Sequence, residues 1–266
     1  MTIMKTIRLL PFVFYLVLSL SACKEDPKKS IPPIIGNGTE TLHGETSDAV
    51  QESLPGTRLF VIAPNGLSLR EENKLDSEKL TVMPLGSEVV LLETSTETPL
   101  EVEYIKGGMH KINFEGQVGF AFSGYLSPVL LHQKDEATEA YITQLKNQYP
   151  KLRYESKPNN PDFHEGFTDI FTLPAASWHE AYYLVSAMCN IPKSLGFPNP
   201  VGPNETTIEN AEKSDTIWDS GLTVMREADQ LKKIIYYFRT DGFGYSVDIV
   251  QLQEGTFEMV YIGFVD

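Results

Sequence analysis

Cysteine is nearly absent: the 266 residues hold two, Cys23 and Cys189. They lie far apart in the chain, which excludes a disulfide-stapled scaffold. Positive charge is scarce as well. Lys and Arg number 22 against 36 Asp and Glu, for a formal charge of −14. Phosphate neutralisation supplies most of the affinity for nucleic acid, so no nucleic-acid partner is expected. The acidity speaks for solubility and does not speak for a fold. The longest apolar run, Leu9 to Ala22, is shorter than the roughly 20 residues that cross a bilayer. There is no Gly-x-Ser-x-Gly, no P-loop and no dinucleotide fingerprint. What the chain does have is 41% hydrophobic and 11% aromatic residues. That excludes wholesale disorder and is enough for one large or two ordinary domains.

The N-terminus reads as an address. Lys5 and Arg8 precede the apolar run, which is the signal-peptide pattern over residues 1–22. The run ends in Leu20-Ser21-Ala22-Cys23. This stretch resembles the lipobox of bacterial lipoproteins, in which small residues fit the peptidase cleft and the thiol takes a diacylglyceryl chain. The resemblance implies lipidation of Cys23 and a membrane partner through that lipid. Lys24, rather than Asp, follows the cysteine. In Gram-negative lipoproteins this implies sorting to the outer membrane, facing the periplasm or the cell surface.

Residues 23–57 then read as the acylated cysteine and a flexible tether. They are rich in Pro, Gly, Ser, Thr and acids, with no sustained hydrophobic period. Residues 58–128 change character. Short β-rich runs at Arg58–Ala63, Gly66–Arg70, Ser87–Glu93, Glu101–Lys106, Lys111–Phe114 and Gln117–Phe122 alternate with turn signals, which predicts a small barrel. Three stretches carry a resemblance: Gly66-Leu67-Ser68-Leu69-Arg70, Met83-Pro84-Leu85-Gly86-Ser87-Glu88-Val89, and Asn113 to Phe120 closing at Tyr125-Leu126. In that order they resemble bacterial SH3 (SH3b) domains. The resemblance departs where the family has tryptophan: Met109 and Phe120 stand at those positions. Aromatic platforms bind sugars and peptides through burial of their faces. Phe120, Phe122 and Tyr125 are therefore candidate ligand-binding residues, with barrel core and rim as the other reading of Phe120 and Phe122.

Residues 129–266 read as a second, α+β domain. Asp135 is expected to cap a helix running to about Tyr149, stopped by Pro150. Ser177-Trp178-His179-Glu180 is a capping box, and the helix it opens carries apolar residues through Cys189 to a stop at Pro192. Residues 192–206 read as a loop. Strands are expected at Gly221–Glu227, Lys233–Thr240, Phe243–Leu252 and Phe257–Val265, with turns at Asp241-Gly242 and Gln253-Glu254-Gly255. The fold class is thus mainly β and then α+β. A small SH3-like barrel is followed by an antiparallel meander with one or two packed helices. Tyr236, Tyr237 and Phe238 are consecutive, so both strand faces carry an aromatic, and Tyr245 and Tyr261 come near them across the meander. Tyr237 is the candidate for an exposed binding face, against a second layer of core.

The residues offer little chemistry. Cys189 follows apolar residues near a helix end, where the dipole raises a thiol pKa, so it reads as a buried small hydrophobe. His164-Glu165 and His179-Glu180 lack the His-x-x-x-His face of a zinc hydrolase, and a cluster of Asp162, His164 and Asp169 in a loop is the remaining metal idea. His43, His110 and His132 have no partner pattern, and no pair of acids stands out for glycoside cleavage. The expectation is no enzyme, no cofactor and no metal: an envelope lipoprotein binding cell-wall material, such as peptidoglycan, or an envelope protein. The alternatives are a periplasmic inhibitor or immunity-type protein against a lytic enzyme, or a peptidoglycan hydrolase.

Overall fold

The computed structural model describes residues 54–159, 166–212, 214 and 216–265. Cys23 and most of the residues read as tether lie outside them. The described residues form one compact unit. The class is mainly β, and every strand pair is antiparallel.

The first sheet is built from β1 (Arg58–Val61), β2 (Leu67–Arg70), β3 (Lys79–Met83), β4 (Glu88–Glu93), β7 (Met109–Phe114), β8 (Gln117–Phe122) and β9 (Leu126–Ser127). Their order, β3-β2-β8-β7-β4-β1-β9, is open: the ladder does not close into the expected barrel. Leu54–Thr57, which composition places in the tether, are hydrogen-bonded to the sheet. Gly56 N–H donates to the Leu91 carbonyl at 2.7 Å and Leu91 N–H to the Thr57 carbonyl at 2.9 Å. The strand expected over Glu101–Lys106 is instead a hairpin of β5 (Leu100–Val102) and β6 (Ile105–Gly107). Glu103 (φ 50°) and Tyr104 (φ 68°) both take the left-handed conformation that a two-residue turn requires. Neither is Gly or Asn, so the turn carries no sequence signal.

The second sheet has the order β10-β11-β16-β15-β14-β13-β12. Its last four strands are the expected meander: β13 (Ile217–Glu227), β14 (Gln230–Thr240), β15 (Phe243–Gln253) and β16 (Thr256–Val265). Three strands were not expected: β10 (Tyr154–Pro158), β11 (Gly166–Pro174) and β12 (Glu205–Glu209), the last beginning inside the predicted loop. That loop is pinned by Arg226, which is 7% exposed and donates to the carbonyls of Asn199 (3.2 Å) and Pro203 (3.0 Å). A buried guanidinium satisfied by backbone carbonyls holds a chain that has few apolar side chains to hold it.

Helix α2 (Trp178–Cys189) starts where the capping box places it, with Ser177 Oγ accepting the Glu180 N–H. It ends at Asn190 in the left-handed conformation (φ 53°), two residues before the expected stop. Helix α1 (Thr138–Gln148) starts two residues later than expected. Asp135 sits at φ 68°, which no helix start tolerates, and the cap residue Ala137 offers no side-chain bond. Tyr141, Ile142 and Leu145 on α1 and Tyr182, Val185 and Leu184 on α2 are buried. The buried apolar residues of both sheets and both helices form a single cluster.

Candidate functional site

The most distinctive surface is a cross-strand row of aromatic rings on the face of the second sheet that carries α2. Register fixes which residues share that face, because side chains alternate along each strand. Phe238 on β14 pairs with Tyr245 on β15, Tyr245 pairs with Gly263 on β16, and Gly263 pairs with Phe167 on β11. Gly263 has no side chain, and Tyr261 and Phe167 lean over it: a Cβ there would meet the Tyr261 ring at 3.0 Å. The ring centroids follow at 5.3 Å from Phe167 to Tyr261, 5.1 Å to Tyr245 and 5.2 Å to Phe238. Those steps are close to the ~4.8 Å between neighbouring strands, so the rings stand on the sheet and stack along it. Phe243 caps the row, 5.8 Å from Tyr245.

The middle of the row is held by α2, where the Tyr245 hydroxyl donates to the Cys189 carbonyl at 3.1 Å. Its ends are free: Phe167 is 44% and Phe243 37% exposed. A cavity of about 380 Å³ lies beside them, lined by Pro158, Phe167, Phe243, Phe264 and Val265, with Lys157 also on its wall. Asp169 shares the ringed face, paired with Tyr261 and Ser156. One of its carboxylate oxygens, Oδ1, is buried with no hydrogen-bond partner. Burial first, then the polar neighbours Cys189 and Asp169, push the Tyr261 hydroxyl up to about 12. The rings are therefore neutral at any physiological pH, and the row offers apolar faces at its ends.

The residues singled out from sequence are dispersed. Phe120 is half-buried on β8, opposite Arg70 and Lys111. Phe122 is core, 3% exposed. Its ring meets Tyr125 edge-on at 5.9 Å. Tyr125 packs on Tyr183 of α2 at 5.7 Å and donates its hydroxyl to Glu103 at 2.8 Å, so it ties the end of β8 to α2 and to the β5–β6 turn. Tyr237 stands on the far face of the second sheet with its hydroxyl over Gly221, where a Cβ would come within 2.6 Å of it. Phe167 was missed because β11 was missed. The alternation Phe167-x-Asp169-x-Phe171-x-Leu173 is the strand signal that would have found it.

Of the nucleophile and metal candidates, Cys189, His110, His132, Asp169 and His179 are described. Cys189 is buried with its sulfur 3.7 Å from Met259 Sδ. Burial, and then the Asp169 charge, push its thiol up to about 12. Roughly one in 10⁵ such thiols is ionised at neutral pH, by the difference between that value and 7. Cys189 should stay unmodified by iodoacetamide in the native protein and react only on unfolding, which mass spectrometry of digested samples checks. His110 Nδ1 accepts the Ser95 N–H at 3.1 Å, and His132 lies edge-on to Tyr141 at 5.1 Å. His43, Asp162 and His164 lie outside the described residues. Among the described residues no three His, Cys, Asp or Glu side chains gather closely enough to hold a metal ion, and no helix is long and apolar enough to cross a membrane. No protein-family model, no curated protein and no solved structure matches the chain.

Proposed function

We propose that this chain is a non-catalytic binding lipoprotein of a bacterial cell envelope, anchored through acylated Cys23, with the aromatic row of the second sheet as its ligand surface. The observation that carries the reading is the row itself, four rings spaced like the strands beneath them and open at Phe167 and Phe243. Ring faces at the ends of such a row suit the apolar face of a sugar ring or a small apolar side chain. The anchor rests on Leu20-Ser21-Ala22-Cys23, and outer-membrane sorting on Lys24. The first sheet is an SH3-like fold in this reading. The three stretches that resemble SH3b domains fall on β2, on the β3–β4 turn and on the β7–β8 hairpin with its close at Tyr125-Leu126. The protonated, enclosed thiol of Cys189 speaks for binding without turnover.

The test is co-sedimentation of the detergent-solubilised full chain with purified peptidoglycan sacculi. Phe167→Ala with Phe243→Ala is expected to weaken binding about tenfold, since an aromatic contact contributes about 0.5–1.5 kcal/mol beyond its area. Equal binding by the double variant, or loss of muropeptides from the sacculi, would overturn the reading. The charge of −14 favours a second reading, capture of a basic lytic enzyme by long-range attraction. In that case sacculi do not bind, and a basic lysozyme is inhibited in a salt-dependent way.

A further inference from the structure

The second sheet ends at β10, and the outer edge of that strand is unpaired among the described residues. Glu155, Ser156, Lys157 and Pro158 are exposed and Tyr154 is half-buried. The ladder to β11 fixes which backbone groups point outward. Asn159 N–H donates to the Gly166 carbonyl and Thr172 N–H to the Arg153 carbonyl, both at 3.0 Å. Arg153, Glu155, Lys157 and Asn159 therefore make the inward bonds, because such pairs alternate along an antiparallel ladder. Tyr154, Ser156 and Pro158 turn their backbone groups outward, and only Pro158 lacks a donor. Edge strands invite pairing and are commonly blunted by charge or proline. Here the charges have opposite signs and stand symmetrically about Ser156, with Lys157 Nζ 4.0 Å from Glu155 Oε1. The opposite edge of the sheet is built differently. On β12, Asn210 N–H donates to the Ser220 carbonyl and Arg226 N–H to the Asn204 carbonyl, so Glu205, Thr207 and Glu209 face outward. Pairing β12 with a copy of itself about Thr207 would set Glu205 against Glu209, and like charges destabilise a cross-strand pair.

We propose that two copies of this chain join through β10, antiparallel about Ser156, and that each copy sets its Tyr154 beside the other's aromatic cavity. In that register Ser156 faces Ser156 of the second copy, and the two exchange both of their backbone hydrogen bonds. Tyr154 N–H donates to the Pro158 carbonyl of the second copy. The donor that Pro158 lacks leaves only the Tyr154 carbonyl, at the end of the ladder, to water. Glu155 and Lys157 of the second copy form the pair without backbone bonds, in which the strands come closest, about 4.5 Å between Cα atoms. That pair occurs twice about the axis, so four charges alternate in sign across the joint. The ringed face runs on as well. Pro158 pairs with Phe167 and Tyr154 with Phe171, and residues paired in register share a face. Across the joint the order is Phe167, Pro158, then Tyr154 of the second copy. Phe167 and Pro158 line the cavity, so the second copy adds a ring to its wall. A five-residue edge buries little area, and the dimer is weak in free solution. Holding both copies in one membrane raises their effective concentration. The shared cavity rests on the ligand reading above; the pairing of the strands does not.

The test is analytical ultracentrifugation of the full chain in detergent over roughly 1–100 µM, the range for small interfaces. The wild type is expected to show a concentration-dependent dimer. Glu155→Lys sets lysine against lysine and Lys157→Glu sets glutamate against glutamate. Each is expected to weaken the dimer about tenfold or more, since two repulsive cross-strand pairs replace two attractive ones. An equimolar mixture of the two variants sets every lysine against a glutamate again and is expected to give a heterodimer of near wild-type affinity. A role for these charges within one chain would not be rescued by mixing. Binding to sacculi is expected to follow, weaker for each variant alone and recovered in the mixture. A wild type that stays monomeric, single variants that dimerise as the wild type does, or a mixture that stays monomeric would overturn the pairing. Sacculus binding equal in all forms would overturn the shared cavity. A dimer that responds as expected while no form binds sacculi would overturn the ligand reading alone.

Discussion

Replacing Cys23 by serine is expected to transfer the protein from the membrane to the soluble fraction. The apolar run before it is shorter than the roughly 20 residues that cross a bilayer, and the proposed reading has it cleaved before position 23. In the proposed lipoprotein reading anchoring falls to the acyl chains, each contributing about 0.8 kcal/mol per buried methylene, and two or three chains hold stably where one does not. A serine hydroxyl is not a substrate for thioether formation, so all of that energy is lost at once. Metabolic labelling with palmitate, followed by membrane fractionation, checks it. Cys23→Ser protein that still partitions with membranes would show that the anchor lies elsewhere.

Phe257→Ala is expected to cost about 3–5 kcal/mol of stability, the range for deleting a buried aromatic ring from a packed core. Phe257 is fully buried on β16, pairs with Leu173 of β11, and lies edge-on beneath Trp178 of α2 at 5.0 Å. Removing it leaves a void between the helix and two strands, none of which is free to collapse. A domain of this size has roughly 5–15 kcal/mol in total, so the loss is a large share. Because the buried residues form one cluster, the loss should appear in a single unfolding transition of the whole unit. Urea denaturation followed by tryptophan fluorescence measures it. If the alanine variant does not fold, Phe257→Leu should still fold at a cost of about 1–1.5 kcal/mol, as a milder change of volume. A loss below 1 kcal/mol for Phe257→Ala would mean that the helix does not pack on this ring.

The meander was legible because its local signals agree. Strands of ten or eleven residues alternate, and Asp241-Gly242 and Glu254-Gly255 stand where the two-residue turns fall. Helix α2 was legible for the same reason, since Ser177 and Glu180 are both spaced for a cap and both used. The hairpin at Glu103-Tyr104 was not, because two residues without turn preference are forced there into the left-handed region by the pairing around them. Strands β10 and β12 are edge strands with mostly polar, exposed residues, so no apolar period marks them.

The candidate site divides along the same line. The aromatic residues of the meander, their position on strands and the apolar enclosure of Cys189 follow from short-range pattern, which the chain carries in its own order. The row does not. It exists because β11, distant in sequence, adds its edge to β16 and sets Phe167 over Gly263, beside Tyr261. Glu180 shows the division within one residue. Its spacing from Ser177 announced a helix start, and long-range packing buried that start by bringing up Ser127. Local sequence determines which element a residue belongs to, because backbone preference acts over a few residues. Which side of that element meets water is decided by partners that the chain supplies 50 or 100 residues away, and burial, protonation and ligand access all follow from that choice.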